Sequence, residues 1–335
     1  MLKHALAKVV NFESLTAQEA HDAMCVIMQG EATDAQIGSL LVALRMKGET
    51  PAEIGGFARA MRESAVQITS KHGNVVDTCG TGGDSADTFN ISTAAAFVAA
   101  GAGVPIAKHG NRAVSSRCGS ADVLRELGVN VEAPPETVSE CLDELGIGFL
   151  FAPTLHPAMK YAIGPRRDLG LRTVFNVLGP LTNPAGSRRQ VIGVFDAQFT
   201  ELLASALLEL GADHALVVHG LVGMDELSTC GDTQVTELRN GAVHSALWGP
   251  EQFGLEPAEL DALVGGPPER SAAMLLAVLQ GEEGPRRDVV LLNAAAAIYV
   301  GGKAVDMHEA LSVARQSIDS GAAAAKLVAL REATR

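Results

Sequence analysis

Aromatic side chains are scarce in this sequence, which has one Trp, two Tyr and ten Phe among 335 residues. Hydrophobic residues nevertheless make up 47% of the chain. The core must therefore be built mostly from Ala, Val, Leu and Ile, which suits helices packed on a sheet. A chain of this length can form one large domain and a smaller one.

Long apolar runs are also missing. No apolar stretch approaches the roughly 20 residues that are needed to span a bilayer. The first dozen residues are too mixed in charge for a secretory signal, so we expect a cytoplasmic protein. The formal net charge of −13 makes nucleic acid and anionic lipid poor partners. Five scattered cysteines without a CxxC pair indicate reduced thiols rather than a zinc site or disulfides.

The N-terminal part of the chain carries helix signals only. Thr33 precedes an apolar-periodic run that Gly48 ends, and Thr50 followed by Pro51 combines an N-cap with a first-turn proline. The apolar positions of the helix after Pro51 continue as far as Val66. These short helices predict a small helical domain.

From about Asn74 onward, short β-branched runs alternate with alanine-rich helical stretches, which predicts a mostly parallel sheet covered by helices. The expected strands are 75–77, 104–107, 149–152, 191–195 and 215–218, and the expected helices include 92–100, 200–210, 293–300 and 307–314. Asn240-Gly241, between runs 234–238 and 242–247, predicts a hairpin at an antiparallel edge. The segment 166–184 is ambiguous and suits a crossing between the two domains.

A glycine-rich stretch, DTCGTGGDSADTFN, runs from Asp77 to Asn90 between a predicted strand and a predicted helix. Its glycines let backbone N–H groups approach a ligand, and the helix start adds positive partial charge. The stretch suits phosphate binding, and a tight turn with capping residues explains it about equally well. No Lys follows the glycines, so it is not the loop of nucleotide hydrolases.

A second stretch, KHGNRAVSSRCGS from Lys108 to Ser120, also joins an apolar run to a predicted helix, 121–127. Lys108, Arg112 and Arg117 concentrate positive charge in a strongly acidic protein, which indicates an anionic ligand. The alternative is a solvated surface loop. Two such loops together favour phosphate binding.

Charged residues further along the chain suggest a metal and a second substrate. Asp225 and Glu226 follow an apolar run, and adjacent carboxylates suit Mg²⁺ that bridges to a pyrophosphate. Arg166, Arg167 and Arg172, near His156, include a candidate for pairing with a substrate carboxylate. A solvated basic helix face is the plainer interpretation of these arginines.

Eight motifs in order along the chain resemble the anthranilate phosphoribosyltransferase family. They are LRMKGET (44–50), GTGGD (80–84), NIST (90–93), KHGNRAVSS (108–116), GSAD (119–122), HPAMK (156–160), RTVFNVLGPLTNPA (172–185) and MDE (224–226). The resemblance covers nearly the whole chain, and the coincidence of several long motifs makes it specific.

The resemblance implies an α/β fold shared with pyrimidine nucleoside phosphorylases. A small N-terminal helical domain, residues 1–72 with part of 166–185 packed on it, would sit on a larger domain. That domain, residues 73–335, would have a mostly parallel sheet flanked by helices and would bind phosphoribosyl pyrophosphate, with the active site in the cleft between the domains. A homodimer formed through the helical domain is also implied.

The activity implied is transfer of the phosphoribosyl group of 5-phosphoribosyl 1-pyrophosphate to the amine of anthranilate, a step of L-tryptophan biosynthesis that requires Mg²⁺. Carried over by motif, the phosphoribosyl pyrophosphate site would comprise Gly80, Gly83, Asp84, Thr88, Asn90, Ile91, Ser92, Thr93, Lys108, His109, Gly110, Asn111, Arg112, Ala113, Val114, Ser115, Ser116 and Ser120. Gly80, Asn111 and Arg166 would bind anthranilate, while His109 and Pro180 would line its path. Ser92, Asp225 and Glu226 would bind the metal, and no residue stands out as a general base.

Three departures from the family pattern are Ser85 after GTGGD, Pro165 before Arg166, and HGLV at 219–222. None removes a group that the chemistry needs. One alternative is a nucleoside phosphorylase, or a phosphoribosyltransferase for another aromatic acceptor, on the same fold. A second is a non-catalytic relative that binds nucleotides or nucleic acid, against which the intact acidic pair and the acidic surface argue.

Overall fold

The computed structural model describes residues 1–84, 86–113 and 117–335. Its N-terminal part is a bundle of four helices, with no strand before residue 76. The bundle consists of α1 (Leu2–Val9), α2 (Ala17–Met28), α3 (Asp34–Lys47) and α4 (Pro51–Glu63). The helical character predicted for this part of the chain is confirmed.

Threonine caps determine where three of these helices begin. The hydroxyls of Thr16, Thr33 and Thr50 each accept the backbone N–H three residues on, and the Glu or Gln there bonds back to the threonine N–H. Such a capping box satisfies two N–H groups that a helix start leaves free. The helix start predicted after Thr33 and the cap predicted at Thr50 are confirmed, but extension of the last helix to Val66 is wrong. That helix ends at Glu63, and the Val66 N–H bonds instead to the carbonyl of Leu155.

A seven-stranded sheet forms the centre of the rest of the chain. Its strands are β1 (Val76–Asp77), β2 (Ile106–Gly110), β3 (Ile147–Phe151), β4 (Arg189–Gly193), β5 (His214–Gly220), β6 (Thr233–Arg239) and β7 (Ala242–Trp248). The spatial order is β3-β2-β1-β4-β5-β6-β7, with the first five strands parallel and the last two antiparallel. Each predicted strand overlaps an observed one, with ends displaced by at most three residues.

The hairpin between β6 and β7 turns through Asn240 and Gly241, both with positive φ (54° and 75°). Two successive positive φ values match the twist of antiparallel strands, and Asn followed by Gly adopts them at little cost. The antiparallel edge predicted from this dipeptide is confirmed.

Helices cover both faces of the sheet. They are α5 (Ile91–Gly101), α6 (Ser120–Glu126), α7 (Pro135–Leu145), α8 (Ala152–Leu155), α9 (Lys160–Leu169), α10 (Phe175–Leu178), α11 (Phe199–Glu209), α12 (Pro268–Leu279), α13 (Pro285–Val300), α14 (Met307–Asp319) and α15 (Ala322–Ala333). One core joins α5 and α12–α15 to one face of the sheet. A second core joins the N-terminal bundle, α9, α10 and α11 to the other face.

The ambiguous segment 166–184 is thus partly helical. It contains the end of α9, the short α10 and a 3₁₀ turn at Gly179–Thr182, and its apolar side chains lie in the core of the bundle. No described helix combines the length and apolarity needed to cross a bilayer.

Candidate active site

A cleft of about 880 Å³ opens at the carboxyl ends of the parallel strands. The strand order reverses between β1 and β4, so the chain leaves these neighbours in opposite directions and a crevice forms there. On the opposite side the cleft is walled by α9, α10 and Met61 of α4. Ligands of open α/β sheets bind at such a crevice.

The glycine loop, residues Gly80–Asp84, lies on the floor of this cleft. A Cβ atom at Gly80 would stand 2.5 Å from Oδ2 of Asp225, so the carboxylate can approach only because residue 80 is glycine. The loop's Thr81 N–H donates to the carbonyl of Gly193 at the end of β4, with an N···O distance of 2.8 Å. The loop is therefore anchored across the crevice to the neighbouring strand.

Helix α5 begins directly beside the glycine loop. Asn90, Ser92 and Thr93 line the cleft, and buried oxygens of Asn90 (Oδ1) and Thr93 (Oγ1) have no partner among the described residues. The Thr93 hydroxyl can donate to an anionic ligand, which the helix dipole also favours, whereas Oδ1 of Asn90 can only accept a hydrogen bond from a ligand hydroxyl or water. Ile91 differs, because its side chain is in the core and its N–H already bonds to the carbonyl of Phe89.

Lys108 is the one buried cation in the described part of the second loop, with 4% of its surface exposed. Its Nζ donates to the carbonyl of Thr78 (2.8 Å) and lies 3.4 Å from Oγ of Ser92. Burial lowers the pKa of Lys108, while nearby acidic groups, including Asp77, oppose that shift. The ammonium group of Lys108, when protonated, would lie beneath the cleft floor.

The two arginines of this loop have carboxylate partners. Arg112 bonds to Glu132 (2.8 Å), and Arg117 lies 3.5 Å from Asp87. Arg112 still lines the cleft, as does Ser120, whose hydroxyl bonds to the backbone of Asn111. Val114, Ser115 and Ser116, together with Ser85, lie outside the described residues.

Three carboxylates meet opposite the start of α5. One oxygen from each of Asp84, Asp225 and Glu226 lies within 4.8 Å of the others. Burial, followed by the charge of Asp84, raises the pKa of Asp225 to about 7. Burial and the charges of Asp225 and Asp84 raise the pKa of Glu226 well above its usual value. The protein alone therefore opposes full ionisation of the cluster.

This cluster fits a divalent cation. Oε2 of Glu226 is buried and has no hydrogen-bond partner in the described chain, which is costly unless a cation or proton compensates it. Carboxylate and hydroxyl oxygens are the ligands that Mg²⁺ prefers, and Ser92 lies on the same cleft wall. Asp84 lies in the same cluster and becomes a further candidate ligand beside the predicted Ser92, Asp225 and Glu226, which short-range patterns did not reveal.

Elsewhere in the cleft lining, Arg166 is partly buried, and its guanidinium lies 5.1 Å from the ring centre of Phe175. His109 and His156 stand nearby with ring centres 5.1 Å apart, and Pro180 completes this wall. Burial, then the charge of His156, lowers the pKa of His109 to about 3, and burial lowers that of His156 to about 4. Both rings are neutral near pH 7, so this wall suits an uncharged aromatic ring.

Asp77 and Asn183 were missed as parts of the site. Asp77 is fully buried, and its carboxylate accepts the N–H of His109 (3.0 Å) and Nδ2 of Asn183 (2.7 Å). Burial raises the pKa of Asp77 to about 6. The pair holds the end of β2, which carries Lys108 and His109. The only signal in the sequence is a lone carboxylate that ends an apolar strand.

The predicted site residues come together in one cleft, with Ile91 as the exception among those described. The cleft lining includes Gly80, Gly83, Asp84, Thr88, Asn90, Ser92, Thr93, Lys108, His109, Gly110, Asn111, Arg112, Ala113, Ser120, Arg166, Asp225 and Glu226. Arg172 lines it too, whereas Arg167 is exposed beside Asp168. The arrangement places hydrogen-bonding groups of the two loops, three clustered carboxylates and a wall with two neutral histidines around one space.

Two family models match the chain. A glycosyl transferase family helical bundle domain matches residues 3–65, and a glycosyl transferase family a/b domain matches residues 72–324. The chain is 57% identical over 334 residues to the anthranilate phosphoribosyltransferase of Pelotomaculum thermopropionicum, which covers 100% of this chain and 97% of that one.

Solved structures of the same family are also similar to this chain in fold and sequence. That of anthranilate phosphoribosyltransferase from Thermus thermophilus is 47% identical and covers 99% of both chains with a TM-score of 0.94. The Saccharomyces cerevisiae enzyme, solved in complex with phosphoribosyl pyrophosphate and Mg, is 30% identical. It covers 99% of this chain and 97% of its own, with a TM-score of 0.89.

Proposed function

Because the chain belongs to the anthranilate phosphoribosyltransferase family, we propose that it joins the phosphoribosyl group of 5-phosphoribosyl 1-pyrophosphate to the amine of anthranilate. The products are N-(5-phosphoribosyl)anthranilate and pyrophosphate, and the reaction is a step of L-tryptophan biosynthesis. The observation that carries the proposal is the cluster of Asp84, Asp225 and Glu226 beside the glycine loop and the start of α5. A cation bound to pyrophosphate would balance the charge of the three carboxylates, and the pyrophosphate would accept hydrogen bonds from the loop and the helix start.

The phosphoribosyl pyrophosphate end is assigned to the two loops. Backbone N–H groups of the glycine loop and the polar side chains at the start of α5 would donate to phosphate oxygens. The ammonium of Lys108, held below them, would stabilise negative charge as pyrophosphate leaves the ribose C1. Thr88, Gly110–Ala113 and Ser120 complete the described part of this assignment.

Mg²⁺ is the cofactor, as in the complex of the yeast enzyme, and we assign Asp225, Glu226 and Ser92 to hold it, with Asp84 close enough to assist. When bound, the ion neutralises charge on the pyrophosphate oxygens. The orphaned oxygen of Glu226 would gain a partner by this assignment.

The acceptor end is assigned to Arg166, Asn111 and Gly80. A guanidinium pairs with a carboxylate through two parallel hydrogen bonds, so Arg166 suits the carboxylate of anthranilate. The neutral His109 and Pro180 would face the ring. Since the amine of anthranilate is already nucleophilic, orientation towards C1 contributes more than a strong base, and we assign no general base.

Three wider assignments accompany this function. Residues 1–72 would act as the helical domain and residues 73–335 as the substrate-binding domain.

A homodimer through the helical domain is supported by Val10, Phe12 and Met46, which are 54%, 65% and 69% exposed near the ends of the packed helices α1 and α3. Light scattering of the protein and of Phe12→Asp tests the dimer, since a buried aspartate would shift the mass to that of a monomer. Cytoplasmic residence stays a prediction, tested by cell fractionation.

The function is tested by mixing purified protein with phosphoribosyl pyrophosphate, Mg²⁺ and anthranilate, and following the loss of anthranilate fluorescence. A rapid loss that requires Mg²⁺ is expected. Folded protein that consumes no anthranilate would contradict the proposal. Other aromatic amines and phosphorolysis of nucleosides would then be assayed, because they are the activities expected of the same fold.

A further inference from the structure

Arg172 contacts the glycine loop directly. Its Nη2 donates to the carbonyl oxygen of Gly83 with an N···O distance of 2.6 Å. Gly83 has a φ of 75°, in the left-handed region, so this carbonyl points where an ordinary residue would rarely place it. A charged donor on that carbonyl stabilises the unusual turn.

The guanidinium of Arg172 also lies against the end of β4. Its central carbon is 4.2 Å from the ring centre of Phe195. The backbone N–H of Phe195 donates in turn to the hydroxyl of Thr81 (3.1 Å). The ring of Phe195 therefore packs against Arg172, which holds Gly83, while its backbone holds Thr81. Both halves of the glycine loop thus depend on contacts with Phe195.

A third contact extends this arrangement to the helical bundle. Nη1 of Arg45, near the end of α3, donates to the backbone carbonyl of Arg172 with an N···O distance of 2.6 Å. The glycine loop is thus linked through Arg172 to Arg45, although 127 positions separate these two arginines in the sequence. The link crosses from the sheet side of the cleft to the bundle side.

We propose that Arg172 is a positioning residue that holds the glycine loop in its phosphate-binding shape and couples it to the helical bundle through Arg45. The proposal rests on the function proposed above, because it concerns the affinity of that site for phosphoribosyl pyrophosphate. Arg172 acts on the substrate through the backbone of the loop.

An arginine suits this position for a physical reason. A planar guanidinium can lie flat on an aromatic ring while its edge donates to a carbonyl, whereas an ammonium can do only one of these well. Arg166 differs, since its side chain makes no hydrogen bond within the described residues and is free to pair with an acceptor carboxylate. The two arginines thus divide the roles of loop support and acceptor binding.

The experiment compares Arg172→Ala and Arg172→Lys with the unchanged protein. Losing a charge-assisted hydrogen bond should raise the KM for phosphoribosyl pyrophosphate roughly tenfold. The KM for anthranilate should change less than about twofold, a difference within the scatter of non-contacting substitutions. Arg172→Lys should recover only part of the affinity. In the absence of substrates, amide hydrogen exchange of the peptide covering residues 78–84 should become faster in Arg172→Ala.

Arg167→Ala is the matched control, because Arg167 is exposed near the end of α9 and its only ion pair among the described residues is with its neighbour Asp168. Phe195→Leu removes the aromatic ring that packs against Arg172 but keeps the arginine. It should raise the KM for phosphoribosyl pyrophosphate by less than Arg172→Ala does. A rise confined to the KM for anthranilate would overturn the proposal by making Arg172 an acceptor anchor. Unchanged loop exchange together with unchanged KM values would overturn it as well. Exchange is measured without turnover, so its outcome stands even if the proposed reaction fails.

Discussion

Oδ2 of Asp225 lies 2.7 Å from the backbone nitrogen of Gly82, so a carboxylate of the acidic cluster accepts a hydrogen bond from the loop assigned to phosphate. In return, the N–H of Asp225 donates to Oδ2 of Asp84 at 3.3 Å. The acidic pair and the glycine loop are therefore one unit, although 143 positions separate Gly82 from Asp225. Changes to either should affect the function of the other.

The combined substitution Asp225→Asn and Glu226→Gln should lower kcat about 100-fold, because cation-dependent stabilisation of the leaving group is lost. The measurement is initial rate against Mg²⁺ concentration. Glu282→Gln with Glu283→Gln, an exposed adjacent pair, removes the same charge elsewhere and should leave the Mg²⁺ curve unchanged. Wild-type Mg²⁺ dependence in the active-site double variant would rule out this metal assignment.

Stability without Mg²⁺ should fall as the pH rises through about 7. Burial and Asp84 raise the pKa of Asp225 from 3.8 to about 7, so the folded state binds this proton more tightly than the unfolded state. The contribution to stability is complete below the unfolded pKa and is lost as pH rises through the folded value. Mg²⁺ replaces the proton, so it should stabilise the protein more at pH 8 than at pH 6.

Thermal unfolding at the two pH values, with and without Mg²⁺, measures this effect. Asp225→Asn in the absence of Mg²⁺ should raise Tm at pH 8 by roughly 1–2 °C, the shift that about 1 kcal/mol produces in a chain of 335 residues. The same variant should show a smaller response to Mg²⁺. Equal Mg²⁺ stabilisation at both pH values would contradict the assigned titration.

Arg166→Ala should raise the KM for anthranilate by roughly 10- to 100-fold, the loss expected for a charge-assisted pair. The KM for phosphoribosyl pyrophosphate should stay within about twofold. Steady-state kinetics with each substrate varied in turn provides the test. An effect on phosphoribosyl pyrophosphate alone would show that Arg166 is wrongly assigned to the acceptor.

Gly80→Ala should displace the carboxylate of Asp225, because the new Cβ would stand 2.5 Å from Oδ2. A displacement near 1 Å at a reacting centre lowers kcat by about 100-fold. Gly38→Ala, in α3, should keep full activity, because no described atom beyond its own helix turn lies within 4 Å of the position that its new methyl group would take. Full activity of Gly80→Ala would mean that this close approach is dispensable.

Local chemistry explains what the sequence could predict. Thr33, Thr50 and Asn240-Gly241 determine their own surroundings within a few residues, so the caps and the hairpin are readable from short patterns. The two loops predicted to bind phosphate can also be recognised from short patterns, because glycines and hydroxyls there follow a strand directly. Helix α13 was recognised only from residue 293 onward, although it begins at Pro285. Its residues 289–292 are apolar on every side and carry no periodic signal.

Long-range contacts were the part that could not be predicted. Asp84 joins Asp225 only after β1 and β5 are placed in the sheet, and the basic residue Arg172 turns out to support Gly83. Arg112 and Arg117 were expected to offer free charge, but Glu132 and Asp87 pair with them. Pairing of this kind depends on which elements become neighbours in three dimensions.

The core shared by the N-terminal bundle, α11 and one face of the sheet has a consequence for how the chain can be divided. Side chains such as Phe57 and Ile54 of α4 belong to the same apolar cluster as Leu203 and Leu207 of α11. Cutting the chain after α4 would expose both sides of this contact to water, and neither fragment would keep a complete core. We therefore expect the bundle and the sheet, which are two regions in topology, to unfold together, and replacing either by another module would require redesign of this shared core.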